Sequence, residues 1–62
     1  MAKIKNDLVT ITCYGKTEKM KRRKALDFYL DCMMNSEGSE HDRYSNIYEQ
    51  LMCGYTECCD LY

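Results

Sequence analysis

Residues 8–35 read LVTITCYGKTEKMKRRKALDFYLDCMMN, and one change of period inside that stretch decides the fold. Over residues 8–14, Val9, Ile11 and Cys13 alternate with Thr10, Thr12 and Tyr14. A period of two, rich in β-branched residues, predicts a strand with one buried face. Gly15-Lys16 supplies a turn, and residues 17–20, TEKM, are read as a short return strand. From Arg22 to about Asn35 the period changes. Ala25, Leu26, Phe28, Tyr29, Cys32 and Met33 recur at three- and four-residue spacing, with Leu30 and Met34 widening the stripe. That spacing predicts a helix.

Outward from this stretch, NSEGS at 35–39 breaks the helical pattern. Ser39 is a suitable N-cap for a second helix, and Glu40 and Asp42 suit its positive end. Tyr44, Ile47, Tyr48, Leu51, Met52 and Tyr55 then form the most regular apolar stripe in the chain. Gly54 is placed to stop that helix as its C′ residue. The tail is read as a last short strand at about 55–59, returning beside strand 8–14 and covering its edge. The expected fold is therefore α+β, a small β(β)ααβ domain with a helical hairpin packed on a two- or three-stranded sheet. An all-α hairpin with a frayed N-terminus is the alternative. Sixty-two residues leave room for one domain, and no repeat or linker interrupts it.

Composition excludes other classes. Charged residues make up 31% and hydrophobic residues 45%, which fits neither a disordered tail nor a membrane protein. The longest uncharged run, Leu8 to Gly15, is far short of the roughly 20 residues a membrane helix needs. Met1-Ala-Lys-Ile-Lys has no apolar signal core, so a cytoplasmic protein is expected. The five cysteines are odd in number, and Cys13, Cys32 and Cys53 sit in apolar runs, which suits reduced thiols acting as small hydrophobes.

Catalytic and metal chemistry find few parts. No Cys-x₂-Cys pair exists, and His41 is the single histidine. A His41-Cys53-Cys58-Cys59 zinc site is geometrically poor, because a helix of ~18 Å separates His41 from Cys53. The three glycines are isolated, so no phosphate-cradling loop is present. No enzyme activity, metal or cofactor is expected.

Charge is divided unevenly. Residues 1–24 hold eight Lys/Arg and two acids, net +6; residues 25–62 hold one Arg and eight acids, net −7. The basic residues concentrate in KMKRRK, 19–24, at the end of a helix where the dipole disfavours cations. That placement is mildly costly, about 0.3–1 kcal/mol, and two kinds of partner could offset it. Acids on the second helix could pair with the cluster internally, or an external polyanion could dock on it. A solvated basic face is the plainer alternative. Lys16, Lys19, Lys21, Arg22, Arg23 and Lys24, with Tyr14 nearby to stack on a base or anchor an interface, are the expected partner-binding residues. On this reading, reversing Arg22 and Arg23 to Glu abolishes binding while the fold survives. The acids of the second half, Asp27, Asp31, Glu37, Glu40, Asp42, Glu49, Glu57 and Asp60, could form a negative face that imitates a phosphate backbone, with Glu37, Glu40, Asp42 and Glu49 as the alternative partner-binding residues; ordinary solubility is the plainer reading.

Three pieces carry a resemblance: the YGKT turn, the basic run before ALDFY, and SEGSE-x-x-RY-x-NIY. From about Val9 to Gly54 the chain resembles a group of very small, largely uncharacterised accessory proteins of conjugative elements and prophages in gut Firmicutes. The resemblance implies a cytosolic protein of a mobile element. Such elements encode regulators of their own transfer and inhibitors of host defence, anti-CRISPR proteins among them. It supplies no catalytic residues. The expected function is thus non-enzymatic binding of nucleic acid or a nucleic-acid-associated protein through the basic helix start. The alternatives are an anti-CRISPR-like inhibitor that uses the acidic half, and a small homodimeric module.

Overall fold

The computed structural model of the chain describes residues 5–60. The alternating stretch forms β1, Leu8–Cys13, and the return strand is β2, Lys16–Lys21. The chain then enters α1, Arg22–Met34, and α2, Ser39–Met52, and ends in β3, Glu57–Cys59. β1 is central, antiparallel to β2 and parallel to β3, giving the order β2-β1-β3. This is the α+β architecture expected, with two helices on a three-stranded mixed sheet.

The hairpin turn falls one residue earlier than Gly15-Lys16. Cys13 faces Lys16, so the loop is Tyr14-Gly15, with φ of 53° and 77°. Two positive φ values define the turn whose twist matches a two-residue hairpin. Tyr14 is therefore a turn residue rather than a strand residue. A left-handed non-glycine costs about 1–2 kcal/mol, and contacts at Tyr14 offset it. Its N–H donates to Asp60 Oδ2 at 3.1 Å, and the Arg43 guanidinium lies 4.9 Å from its ring centre.

One face of the sheet is buried. Val9, Ile11 and Cys58 point into a core completed by Ala25, Leu26 and Tyr29 of α1 and Ile47 and Leu51 of α2. Cys58 sits beside Ile11 in the parallel register, which is how a three-residue strand contributes a core side chain. Tyr44 and Tyr48 pack at the core margin, with the Tyr29 and Tyr44 rings 6.0 Å apart. Phe28 and Tyr55, assigned to the apolar stripes by spacing, are instead exposed at 50% and 58%. The sheet is narrow, so only one stripe of α1 is covered: Arg22, Ala25, Leu26 and Tyr29, at i, i+3, i+4 and i+7.

The helix ends follow physical rules with one shift. Gly38, at φ 65°, is the N-cap of α2, and Ser39 is its first helical residue. Glu40 and Asp42 lie in the first turn, where the dipole favours them. At the other end, Gly54 N–H donates to Leu51 O at 3.2 Å and Tyr55 N–H to Gln50 O at 3.1 Å. With Gly54 at φ 96° these two bonds make a Schellman stop.

Candidate functional site: a basic border along β2 and the start of α1

The run KMKRRK divides on folding. Lys19 and Lys21 are exposed on β2, and Arg23 and Lys24 are exposed in the first turn of α1. Lys16, at the other end of β2, is exposed as well. Lys19 and Lys24 line the same surface hollow with Glu18, Met20 and Phe28. These five cations form one border of the molecule, running along an edge strand into a helix start. Among the described residues, the ion pairs are Arg22–Asp7 and Arg43–Asp60, and none involves the five. The acids of α2 therefore do not neutralise the border.

Arg22 is the exception and corrects the sequence reading. It is 3% exposed. Its Nε donates to Asp7 Oδ1 at 2.7 Å and its Nη2 to Asp7 Oδ2 at 3.1 Å. Nη1 donates to Leu51 O at 2.7 Å, and Nη2 also reaches Gly54 O at 3.3 Å. Arg22 is thus spent inside the fold, bonding Leu51 O at the end of α2 and Gly54 O just beyond it, and is no docking cation. The double reversal at Arg22 and Arg23 removes this staple along with a border cation, so it lowers the stability of the fold and does not separate binding from folding.

The same corner explains why α1 begins with cations. Lys21, its N-cap, makes no side-chain cap bond, and the first turn holds no acid. The segment ahead of β1 supplies both. Arg22 N–H donates to Asp7 O at 2.8 Å, and Arg23 N–H donates to Asn6 Oδ1 at 3.1 Å. Asp7 brings the carboxylate that the dipole favours. The Arg22 guanidinium holds the Asp7 carboxyl below its ordinary value of 3.8, against a smaller opposing effect of burial.

A second polar cluster fixes the tail. Asp60, 3% exposed, accepts from Tyr14 N–H and from Arg43 Nη1 at 2.8 Å. The Tyr14 amide chiefly, and then Arg43, hold its carboxyl below 3.8 while burial opposes them. Asn46 Nδ2 donates to Asp60 O at 3.2 Å. Gln50 closes the β3 edge: Nε2 donates to Cys59 O at 2.8 Å and Oε1 accepts Cys59 N–H at 3.1 Å. Tyr14 is half exposed at the end of the border, with Arg43 over one face of its ring.

Asn6, Asp7, Arg43, Asn46, Gln50 and Asp60 were not singled out as structural residues in the sequence. The hairpin register could have found Asp7, since the pairing that sets Leu8 beside Lys21 sets Asp7 beside Arg22 at the next step. The acidic alternative, Glu37, Glu40, Asp42 and Glu49, is wholly exposed. Asp42 and Glu49 share a stripe two turns apart on α2, and Glu37 lies in the loop ahead of it.

Burial pushes the thiols of Cys13, Cys32 and Cys58 up, and the Asp60 carboxylate adds to the shift at Cys13, so these groups stay protonated. All five cysteines are free. His41 Nδ1 donates to Met33 O at 2.9 Å and ties the two helices together. Among the described residues no three His, Cys, Asp or Glu side chains gather as metal ligands, and no helix is long and apolar enough to cross a membrane. No family model, curated protein or solved structure matches the chain.

Proposed function

We propose that this chain is a non-enzymatic binding protein that docks an anionic macromolecule, nucleic acid or a nucleic-acid-associated protein, on the border formed by β2 and the start of α1. One observation carries the reading: Lys16, Lys19, Lys21, Arg23 and Lys24 share this border without an ion-pair partner among the described residues. Unpaired like charges raise the energy of the free protein, and an anionic surface relieves it. The resemblance adds a setting, the cytoplasm of a bacterium that carries a mobile element. Five free thiols suit that reducing compartment.

The test is fluorescence anisotropy of labelled duplex DNA, single-stranded DNA and RNA, titrated with the protein at several salt concentrations. With five contacting cations, log K for the duplex falls with log salt at a slope no steeper than about −4.5. An acidic protein partner instead leaves all three nucleic acids unbound at low salt, while an acidic polypeptide binds. Failure of every anionic probe overturns the reading.

A further inference from the structure

The sheet has two edges, and they are treated differently. On β3 the amide of Gln50 occupies the outward N–H and C=O of Cys59. On β2 no such cover is present among the described residues. The direction of its free groups follows from the ladder. Thr10 N–H donates to Thr56 O and Asp60 N–H donates to Thr12 O, so Thr10 and Thr12 turn their backbone groups toward β3. β1 therefore meets β2 through Val9, Ile11 and Cys13, whose partners are Met20, Glu18 and Lys16. Thr17 and Lys19 are left with N–H and C=O pointing outward, two donors and two acceptors along an edge.

The surface beside this edge is shaped. Two hollows lie along it on the helix-covered side of the sheet. One, of about 270 Å³, is bounded by Tyr14, Lys16, Glu18, Phe28, Tyr29 and Tyr44. The other, of about 410 Å³, is bounded by Glu18, Lys19, Met20, Lys24 and Phe28. They share Glu18 and the half-exposed ring of Phe28. Residues i and i+2 of an added strand point to one face, and the two hollows adjoin through Glu18 and Phe28. The intervening residues point to the open face, beside Lys19 and Lys21.

We infer that the outer edge of β2 receives an extended acidic segment of a partner protein by strand addition, with apolar side chains at alternate positions entering the hollows beside Phe28. The inference rests on the proposed function and names its partner class. Charge selects the occupant. β2 carries three lysines and one glutamate, so a second copy of the same strand brings like charges together. Lysines on an edge normally discourage strand pairing. Here they reject a basic or self strand and admit one that alternates acids with apolar residues. Main-chain bonds then give affinity, and the hollows give specificity. Nucleic acid satisfies the lysines but not the strand-like spacing of the Thr17 and Lys19 amides.

The test uses the full chain and an end-labelled peptide of about eight residues alternating Glu with Val and Leu, a typical strand length. Binding is read by anisotropy, and amide exchange of Thr17 and Lys19 is read by NMR. The expected result is saturable binding that slows exchange at those two amides. A peptide N-methylated at the alternate amides that face β2 binds at least about tenfold more weakly, while methylation at the other amides is tolerated. Phe28→Ala, at a half-exposed position, weakens binding without unfolding the protein. Nucleic acid binding without peptide binding overturns this inference and leaves the basic docking border standing. Loss of both overturns the two together. Self-association through β2, seen by light scattering and protection of the same amides without peptide, assigns the edge to a second copy and also overturns it.

Discussion

Arg22, the first residue of α1, grips Asp7, the residue ahead of β1, through two parallel bonds, Nε to Oδ1 at 2.7 Å and Nη2 to Oδ2 at 3.1 Å. Its third nitrogen holds the carbonyl of Leu51, so one side chain joins the N-terminal segment, the start of α1 and the end of α2. A cation inside a basic run is thereby a structural staple, while its neighbours make no ion pair among the described residues.

This division predicts opposite outcomes for adjacent arginines. Arg22→Met removes both Arg22 bonds to the Asp7 carboxylate and leaves Leu51 O with only the Gly54 N–H, and it lowers the melting temperature by on the order of 10 °C in a domain this small. Arg23→Glu leaves the melting temperature unchanged or slightly raised, because an acid suits the first turn of a helix. Thermal melts followed by circular dichroism compare the two. Equal behaviour contradicts the assignment of Arg22.

Stability is predicted to fall in acid. Asp7 and Asp60 both titrate below 3.8 in the folded chain and near 3.8 in the unfolded chain. The unfolded chain therefore binds more protons in that window. Their contribution is present above about pH 4 and is lost as pH drops through the folded values. Asp60→Asn is less stable than the parent near neutral pH and loses less on acidification. Urea midpoints measured from pH 2 to pH 7 read both effects.

The β3 edge is predicted to depend on one amide. Gln50→Ala frees the Cys59 N–H and C=O and costs about 1–2 kcal/mol of stability. Amide exchange at Cys59 speeds up, while exchange in β1 changes only as much as global stability does. An unaltered Cys59 exchange rate removes Gln50 from the role assigned to it.

Thiol modification is predicted to follow burial. Cys53 is exposed and reacts first with iodoacetamide; Cys58, 3% exposed, with its thiol pushed up by burial, reacts only as the chain unfolds. Peptide mapping by mass spectrometry gives the order, and early labelling of Cys58 contradicts the packing of β3.

The element order was legible because each period is strong locally. Val9 and Ile11 announce a half-buried strand, and the stripe from Tyr44 to Met52 announces a helix. The candidate site was less legible, and the cause is a single turn. A Gly15-Lys16 loop pairs Asp7 with Lys24, whereas the actual Tyr14-Gly15 loop pairs it with Arg22. Glycine marks the turn region, but Tyr14 takes a positive φ that its residue type does not advertise. Its support comes from Asp60 and Arg43, both distant in sequence. The exposure of Phe28 was hidden for a related reason. Helical spacing shows which residues share a face, and the width of the opposing sheet decides how much of that face is covered.

The central claim, that the β2–α1 border docks an anionic partner, is tested most directly by titrating wild type and Lys19→Glu/Lys24→Glu against the same duplex DNA, RNA and acidic alternating peptide at about 50 and 200 mM salt. The account predicts that wild type binds at least one of these probes in a salt-dependent way. It predicts that the double variant, altered only at exposed positions, keeps its fold and loses that binding. Equal binding by the folded variant, or no binding of any probe by wild type at the lower salt, contradicts it.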